Sequence, residues 1–554
     1  MTPPIVNRIL INISLLLAII MFTFLVIYTM LTRQSHYIII GIAAISVPMF
    51  FAKKDSQLFI ITNKLVLITV FVFFSTYFGS MLPSLQNFHF AVLLSLIVLP
   101  ALFTRTKLMT YIYIGILLFF SGTQYGMRAR ALENFIDIYG KGTGQLHFSL
   151  LNIYLFYIML SILIHRVLIK NENQSGFVHC SLYKYFWFFI GIFTVYIFIG
   201  VGHGIPFWDT LKYDAGVMNF PVVAVLLFVL LNFFKSEKDI DQFMKFFMVC
   251  MLVRGFYGIY RFIFMLGDPA NPYRNNLGAL ETRISFFDWG DSLIASVAVF
   301  YSIWLLLKHN DTLTLMWRKL HWMIVIVGIF NITFSYRRTA WSGFILVLLW
   351  LSQYLKLKQK MLVGIILIIV TGLISSYLLV NRYGEEIKQK GVLERILPDI
   401  HSETTGEVTV KEGRFSELYR AWNAIKGKLI FGMGPWMSVE TGDILTADNE
   451  KILTSHSSIF FILLKMGLVG LTIYFAMLVS YVKFWLKVRK ERWNSMKMRA
   501  VGETGFAGFV CTIPSIFLAP LVNEYRTMSL VAICLALPYV AYHFDRAKQD
   551  AEVF

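Results

Sequence analysis

The chain is 554 residues long, 57% apolar and only 15% charged, with a formal charge of +18. A soluble domain is about 45–50% apolar and about 25% charged, so an ordinary soluble enzyme is excluded. The excess apolar residues lie in runs long enough to cross a bilayer, which takes about 20 helical residues. A transmembrane β-barrel is excluded as well, because its strands alternate in stretches of about ten residues. The positive charge sits between the apolar runs, and no nucleic-acid-binding motif accompanies it, so no nucleic-acid partner is expected.

In chain order, apolar runs are read at roughly 9–32, 36–51, 63–79, 88–104, 108–126, 147–168, 183–202, 217–234, 242–266, 286–307, 321–336, 341–355, 361–380, 458–482, 503–520 and 527–543. Several are short, so 12–16 transmembrane helices are predicted, in an even number. The first run is too long for a signal-peptide core and lacks a small-residue cleavage site, so it reads as a retained helix. The connection "KFWLKVRKERWNSMKMR" holds seven basic residues against one acid, Glu491. The segment from Asn381 to Ser455 instead holds twelve acids and ten Lys/Arg. By the positive-inside rule both termini and the basic connections are cytoplasmic, and the long segment faces outward.

This gives an all-α polytopic membrane protein with four sections. Residues 1–282 are N-terminal transmembrane helices. Residues 283–380 are helices joined by an outward arginine turn. Residues 381–457 form one large extracytoplasmic loop, and 458–554 are the C-terminal helices. The loop is too small for a core of its own and is expected to pack on the bundle. Within it, "EGRFSELYRAWNAIKGK" spaces Phe415, Leu418, Tyr419, Trp422 and Ile425 by three and four, as in an amphipathic helix. Gly427 is its expected stop, and "FGMGP" after it must turn.

Chemistry-bearing residues are few. The cysteines, Cys180, Cys250, Cys511 and Cys534, form no CxxC pair, so no disulfide framework or thiolate metal site is expected. Asp448 and Glu450 in "DNE" read as a solvated loop rather than a metal site. Walker, HExxH and GxSxG patterns are absent from the sequence. Outward-facing arginines remain, against the orientation rule, and one histidine. "SYRRTAW" puts Arg337 and Arg338 between two apolar runs, Arg414 opens the amphipathic segment, and His456 precedes the run that begins at Ser458. Arginine suits bidentate phosphate recognition, and histidine near neutral pH can take a proton from a hydroxyl. Together they suggest an anionic substrate at the outer leaflet on which the histidine could act; an interfacial histidine with no role is the alternative.

These residues also carry a family resemblance. "HSSIFFILLKMGLVG" fits a histidine followed by a small polar residue, nine residues and then G-x-x-G, matched by His456, Ser457, Gly467 and Gly470. Arg414 with Leu418 fits R-x-x-x-L in the preceding loop. "YRRTAW" resembles an arginine turn between two helices, with Arg338 in the arginine position and Arg337 a second arginine able to take it. "ETRISFFDWGDSLIASVAVF" resembles the preceding helix start, with Arg283 at its lip. The ordered set, from Arg283 to about Leu486, resembles the O-antigen ligase and polymerase family.

The resemblance implies a metal-independent glycosyltransferase without a cofactor, in the bacterial inner membrane. Its donor would be a glycan on undecaprenyl diphosphate. Its acceptor would be a sugar hydroxyl of lipid A-core, or of another lipid-linked glycan. His456, Arg414 and Arg338 would be catalytic; Arg337, Arg283, Arg420 and Ser457 would bind substrate. A polysaccharide polymerase shares this chemistry and stays open as an alternative. So does an oligosaccharyltransferase acting on protein. A lipid-linked oligosaccharide transporter is a further reading, although it would need polar groups along a path at the bilayer midplane.

Overall fold

The computed structural model describes residues 106–120, 150–168, 178–202, 204, 219–268, 283–309, 313–361, 364, 365, 368, 372, 422–434, 439–440, 451–452 and 457–553, apart from 179, 266, 287, 336, 424 and 520. The first four apolar runs, most of the run at 361–380, and most of the predicted amphipathic helix lie outside the described residues. The chain divides into two compact units, 1–115 with 136–177 and 116–135 with 178–554.

Described helices of the first unit are most of α1 (Thr106–Phe119) and α2 (Leu150–Leu168). The last turn of α1, from Ile116, belongs to the second unit. Polar side chains within these apolar helices find partners on the facing helix. The Tyr154 hydroxyl donates to the Met109 carbonyl at 3.1 Å, and the Thr106 and Ser161 hydroxyls are 2.7 Å apart. Such bonds hold helices together where lipid gives no hydrophobic drive between them.

The second unit contains α3 (Tyr183–Gly202), α4 (Asn219–Phe233), α5 (Glu237–Phe264), α6 (Trp289–Lys308), α7 (Leu315–Thr333), α8 (Arg338–Ser352), α9 (Ser458–Val488), α10 (Met496–Leu518) and α11 (Tyr525–Val553). A two-residue antiparallel ladder pairs β1 (Val439–Glu440) with β2 (Lys451–Ile452). Among the described residues, seven helices are long and apolar enough to cross a membrane: α3, α5, α6, α7, α9, α10 and α11 through Arg546. The protein is an all-α polytopic membrane protein, as its composition implied.

Several helices start earlier than the apolar runs that announced them. Three of them, α5, α7 and α10, open inside polar connections, where Ser236, Thr314 and Ser495 accept from the backbone N–H groups of Asp239, Trp317 and Met498. Such caps satisfy N–H groups that the first turn leaves over. An apolar run therefore measures the lipid-facing part of a helix, not its full length.

The core gathers around α10. Gly505 and Gly508 lie against Cys534 of α11, and Gly343 of α8 lies against Cys511 of α10. A side chain at any of these positions would hold the helices apart, so glycine sets their close approach. All four cysteines are buried free thiols.

The helix α9 is broken at Gly467, with φ 65° and ψ −163°. Glycines three apart, as at Gly467 and Gly470, suit the close approach of another helix. What approaches is the backbone of the long loop. The N–H groups of Leu468 and Val469 donate to the carbonyls of Leu429 and Ile430 at 2.8 and 3.2 Å, and Met433 N–H donates to Leu464 O at 2.7 Å. A Cβ on Gly467 would meet Ile430 O, whereas one on Gly470 would meet Met466 of its own helix. The loop thus reaches about 14 Å along α9 from Ser458, at 1.5 Å per residue. Non-helical backbone at such depth persists only where its polar groups find protein partners, and these bonds supply them. Past a turn at Lys426 and Gly427, Gly432 (φ 74°) and Gly434 (φ 90°) bend the chain as "FGMGP" required. The Tyr196 hydroxyl of α3 donates to the Phe431 carbonyl. Ile425 is buried while Trp422 is exposed, so the two do not share one buried face.

Candidate functional site

One end of the second unit collects the starts of α4, α6, α8, α9 and α11 and the ends of α5, α7 and α10. Its anchor is Arg526, one residue into α11 and fully buried. Its guanidinium donates to the carbonyls of Leu117 and Leu118 at 2.7 and 3.3 Å and to Asp291 at 2.9 Å. It also pairs with Asp288 at 2.8 Å. Arg254 of α5 completes the set. It donates to both Asp291 oxygens at 3.1 and 3.2 Å and to Phe119 O at 2.7 Å, and it stacks 4.2 Å from the Phe286 ring centroid. The last carbonyls of α1 are the negative end of its dipole, where cations are favoured. Buried charges persist only when paired and hydrogen-bonded in this way.

The arginine turn sits on this scaffold. Ser335 donates to Ile332 O at 2.7 Å, and the Trp341 indole N–H donates back to Ile332 O and Thr333 O at 2.9 and 3.2 Å. Trp341 thereby ties the end of α7 to the start of α8. Arg337 is the N-cap residue of α8 and makes no side-chain cap hydrogen bond. Arg338 is the first helical residue and is exposed, while Arg337 is half-buried. Two guanidinium groups at a helix N-terminus are unfavourable with the dipole alone. With an anion present, the dipole and the guanidiniums act together.

The half-buried Arg283 lies in a short segment that runs to this turn. Its neighbour Ile284 accepts from Asp268 N–H at 2.7 Å, and Ser285 N–H donates to Phe334 O at 2.9 Å. Gly267, at φ 86°, packs directly on Arg283 and Ile284.

Ser457 is the buried N-cap residue of α9. Ser458 donates from its N–H and hydroxyl to Ala519 O at 3.1 and 2.8 Å, and its hydroxyl accepts from Val522 N–H at 3.4 Å. The 3-10 turn Leu521–Asn523 is therefore locked to the start of α9, and Asn219 of α4 also donates to Val522 O at 2.8 Å. Arg283, Arg337, Arg338 and Ser457 thus share one end of the unit. His456, Arg414 and Arg420 lie outside the described residues.

Sequence reasoning missed Glu524, which follows the 3-10 turn and is half-buried. Thr527 donates to its Oε2 at 2.6 Å. Burial, and then the charge of Asp288, push its carboxyl up to about 7, while Arg337, Thr527 and Arg526 pull the other way. The signal was present in "LVNEYRT", a charged connection between two apolar runs. Asp288 and Asp291, two acids opening an apolar helix in "FFDWGDS", were a second such signal.

The fold and this polar end define a polytopic membrane protein with an arginine-bearing lip. Residues 322–475 match the family model Wzy_C, O-antigen ligase. That segment is thus similar to the O-antigen ligase domain, as the motifs from Arg338 to Gly470 implied. The match begins within α7 and ends within α9, so Arg283 and Glu524 lie outside it. No curated protein matches the chain.

Proposed function

We propose that the protein transfers a glycan from undecaprenyl diphosphate to a sugar hydroxyl of lipid A-core, at the outer face of the bacterial cytoplasmic membrane, with both termini inside. The observation that carries this reading is the arginine turn: Arg337 and Arg338 open α8 inside the segment that matches the O-antigen ligase model. Diphosphate leaves only if its growing negative charge is stabilised. In this reading Arg338 and Arg414 supply that charge without a metal, with Arg337 and Arg283 beside the turn and Arg420 further along the loop. His456 orients or deprotonates the acceptor hydroxyl, next to Ser457 at the start of α9. Single displacement at the anomeric carbon inverts it. Lipid-facing helix surfaces hold the polyprenyl chain, at about 0.8 kcal/mol per buried CH₂.

The test is transfer by purified protein in detergent, offered lipid A-core and lipid-linked repeat units in turn, with chelator present. Transfer to lipid A-core supports the ligase reading. Transfer only to lipid-linked units makes the protein a polymerase, and no product with either leaves transport. Arg338→Lys is expected to lower kcat about 10²-fold or more, because lysine keeps charge but not the bidentate fork. His456→Ala with full activity would remove histidine from the chemistry.

A further inference from the structure

The arginines and His456 account for the donor and the hydroxyl, but not for a carboxyl set against Arg337 and Arg526. Glu524 stands at the start of α11, in the connection between α10 and α11. Its turn is pinned from two directions, by Ser458 of α9 and Asn219 of α4. Ser458 is two residues after His456 in sequence. The charged groups set against the carboxyl are Asp288 from the start of α6, Arg337 from the start of α8 and Arg526 from α11 itself. Among the described residues its one side-chain hydrogen bond is that from Thr527 to Oε2. Asp288 and Asp291, by contrast, are engaged by Arg526 and Arg254 deep in the scaffold. Glu524 is the half-buried acid on the arginine side of that scaffold.

We propose that Glu524 is a catalytic residue of the transfer, the carboxylate that binds the acceptor's attacking hydroxyl and takes its proton. The inference rests on the transfer reading above and divides its labour: His456 orients the hydroxyl and Glu524 accepts the proton. The acceptor oxygen bonds to the anomeric carbon. The bond from that carbon to the diphosphate oxygen breaks, and its electron pair leaves with the diphosphate beside the arginines. The hydroxyl proton passes to the Glu524 carboxylate. A base is most effective when it titrates close to the working pH. Burial and Asp288 place Glu524 there, while Arg337 and Arg526 keep it from rising further.

The experiment is the pH dependence of kcat for purified wild type, Glu524→Gln and Thr527→Val, with KM for the donor measured in each. Wild type is expected to lose activity below about pH 7. Glu524→Gln is expected to lower kcat about 10²-fold or more, to leave donor KM unchanged and to abolish that acidic limb. Thr527→Val removes a hydrogen bond that stabilises the ionised carboxylate, so the limb should move to higher pH. That shift is a readout a merely structural glutamate would not give, and it stands even if the Gln variant fails to insert. Glu524→Gln within about threefold of wild type, or a Thr527→Val limb that stays in place, overturns this inference alone. A wild-type protein that transfers nothing to any acceptor overturns the transfer reading with it.

Discussion

The two ends of the helical bundle are held by different kinds of charge. At the arginine-turn end, the side chains of Arg254, Asp288, Asp291 and Arg526 are each 8% exposed or less. They tie α5, α6 and α11 to the last turn of α1, and Arg261 pairs with Asp268 alongside. At the opposite end, Arg546 pairs with Glu491, while Lys245 and Lys497 share Asp241, with side chains 19–46% exposed. Exposed pairs are screened and contribute little. Buried ones are unforgiving of the loss of a partner. The contrast teaches where rigidity is required. One end fixes the helix starts that present Arg337 and Arg338 through buried ion pairs. The other leaves its ion pairs at the surface and holds its buried acids through neutral donors, Glu503 by the Trp350 indole and Asp545 by the N–H groups of Asn494 and Ser495.

Substitutions can break or sharpen that contrast. The largest effect is expected from Asp291→Ala, which removes the carboxylate paired with buried Arg254 and one of the two paired with buried Arg526. It should cost about 3–5 kcal/mol of stability, read as a large fall in Tm in detergent; an unchanged Tm would erase the distinction between the ends. Next comes Gly467→Ala. A non-glycine residue at φ 65°, pressed against Ile430, should cost about 1–3 kcal/mol. Proteolysis of the long loop in the purified variant would report the released strap. The smallest effect belongs to Glu491→Gln, which should change stability by less than about 1 kcal/mol, with any loss fading as salt is added.

The sequence made the helices legible because lipid demands unbroken apolar runs, and these are visible without tertiary information. It also exposed the arginine turn, since Arg337 and Arg338 fall in a connection that the charge alternation reads as outward. Other features were hidden for physical reasons. Gly467 and Gly470 announced a close approach, but spacing does not say whether helix or loop backbone will fill the gap. Asp291 and Arg254 lie 37 residues apart and Asp291 and Arg526 lie 235 apart, so only folding reveals their pairing. Lys465 is fully buried in α9, which its place in an apolar run does not announce. Glu524 was passed over because a short connection between two apolar runs looks like a spacer until its neighbours are known.

The strap at Gly467 also decides where this protein can be cut and rejoined. The long loop looks like a cassette ending at Ser457, ready to be exchanged with that of a relative. Its residues Leu429, Ile430 and Met433 are stitched to Leu464, Leu468 and Val469 by backbone hydrogen bonds. A chimera joined at Ser457 would mate one protein's stitch with another's helix break. The transplantable piece is the loop together with the first part of α9, through Gly470, and a graft with that boundary carries its own seam.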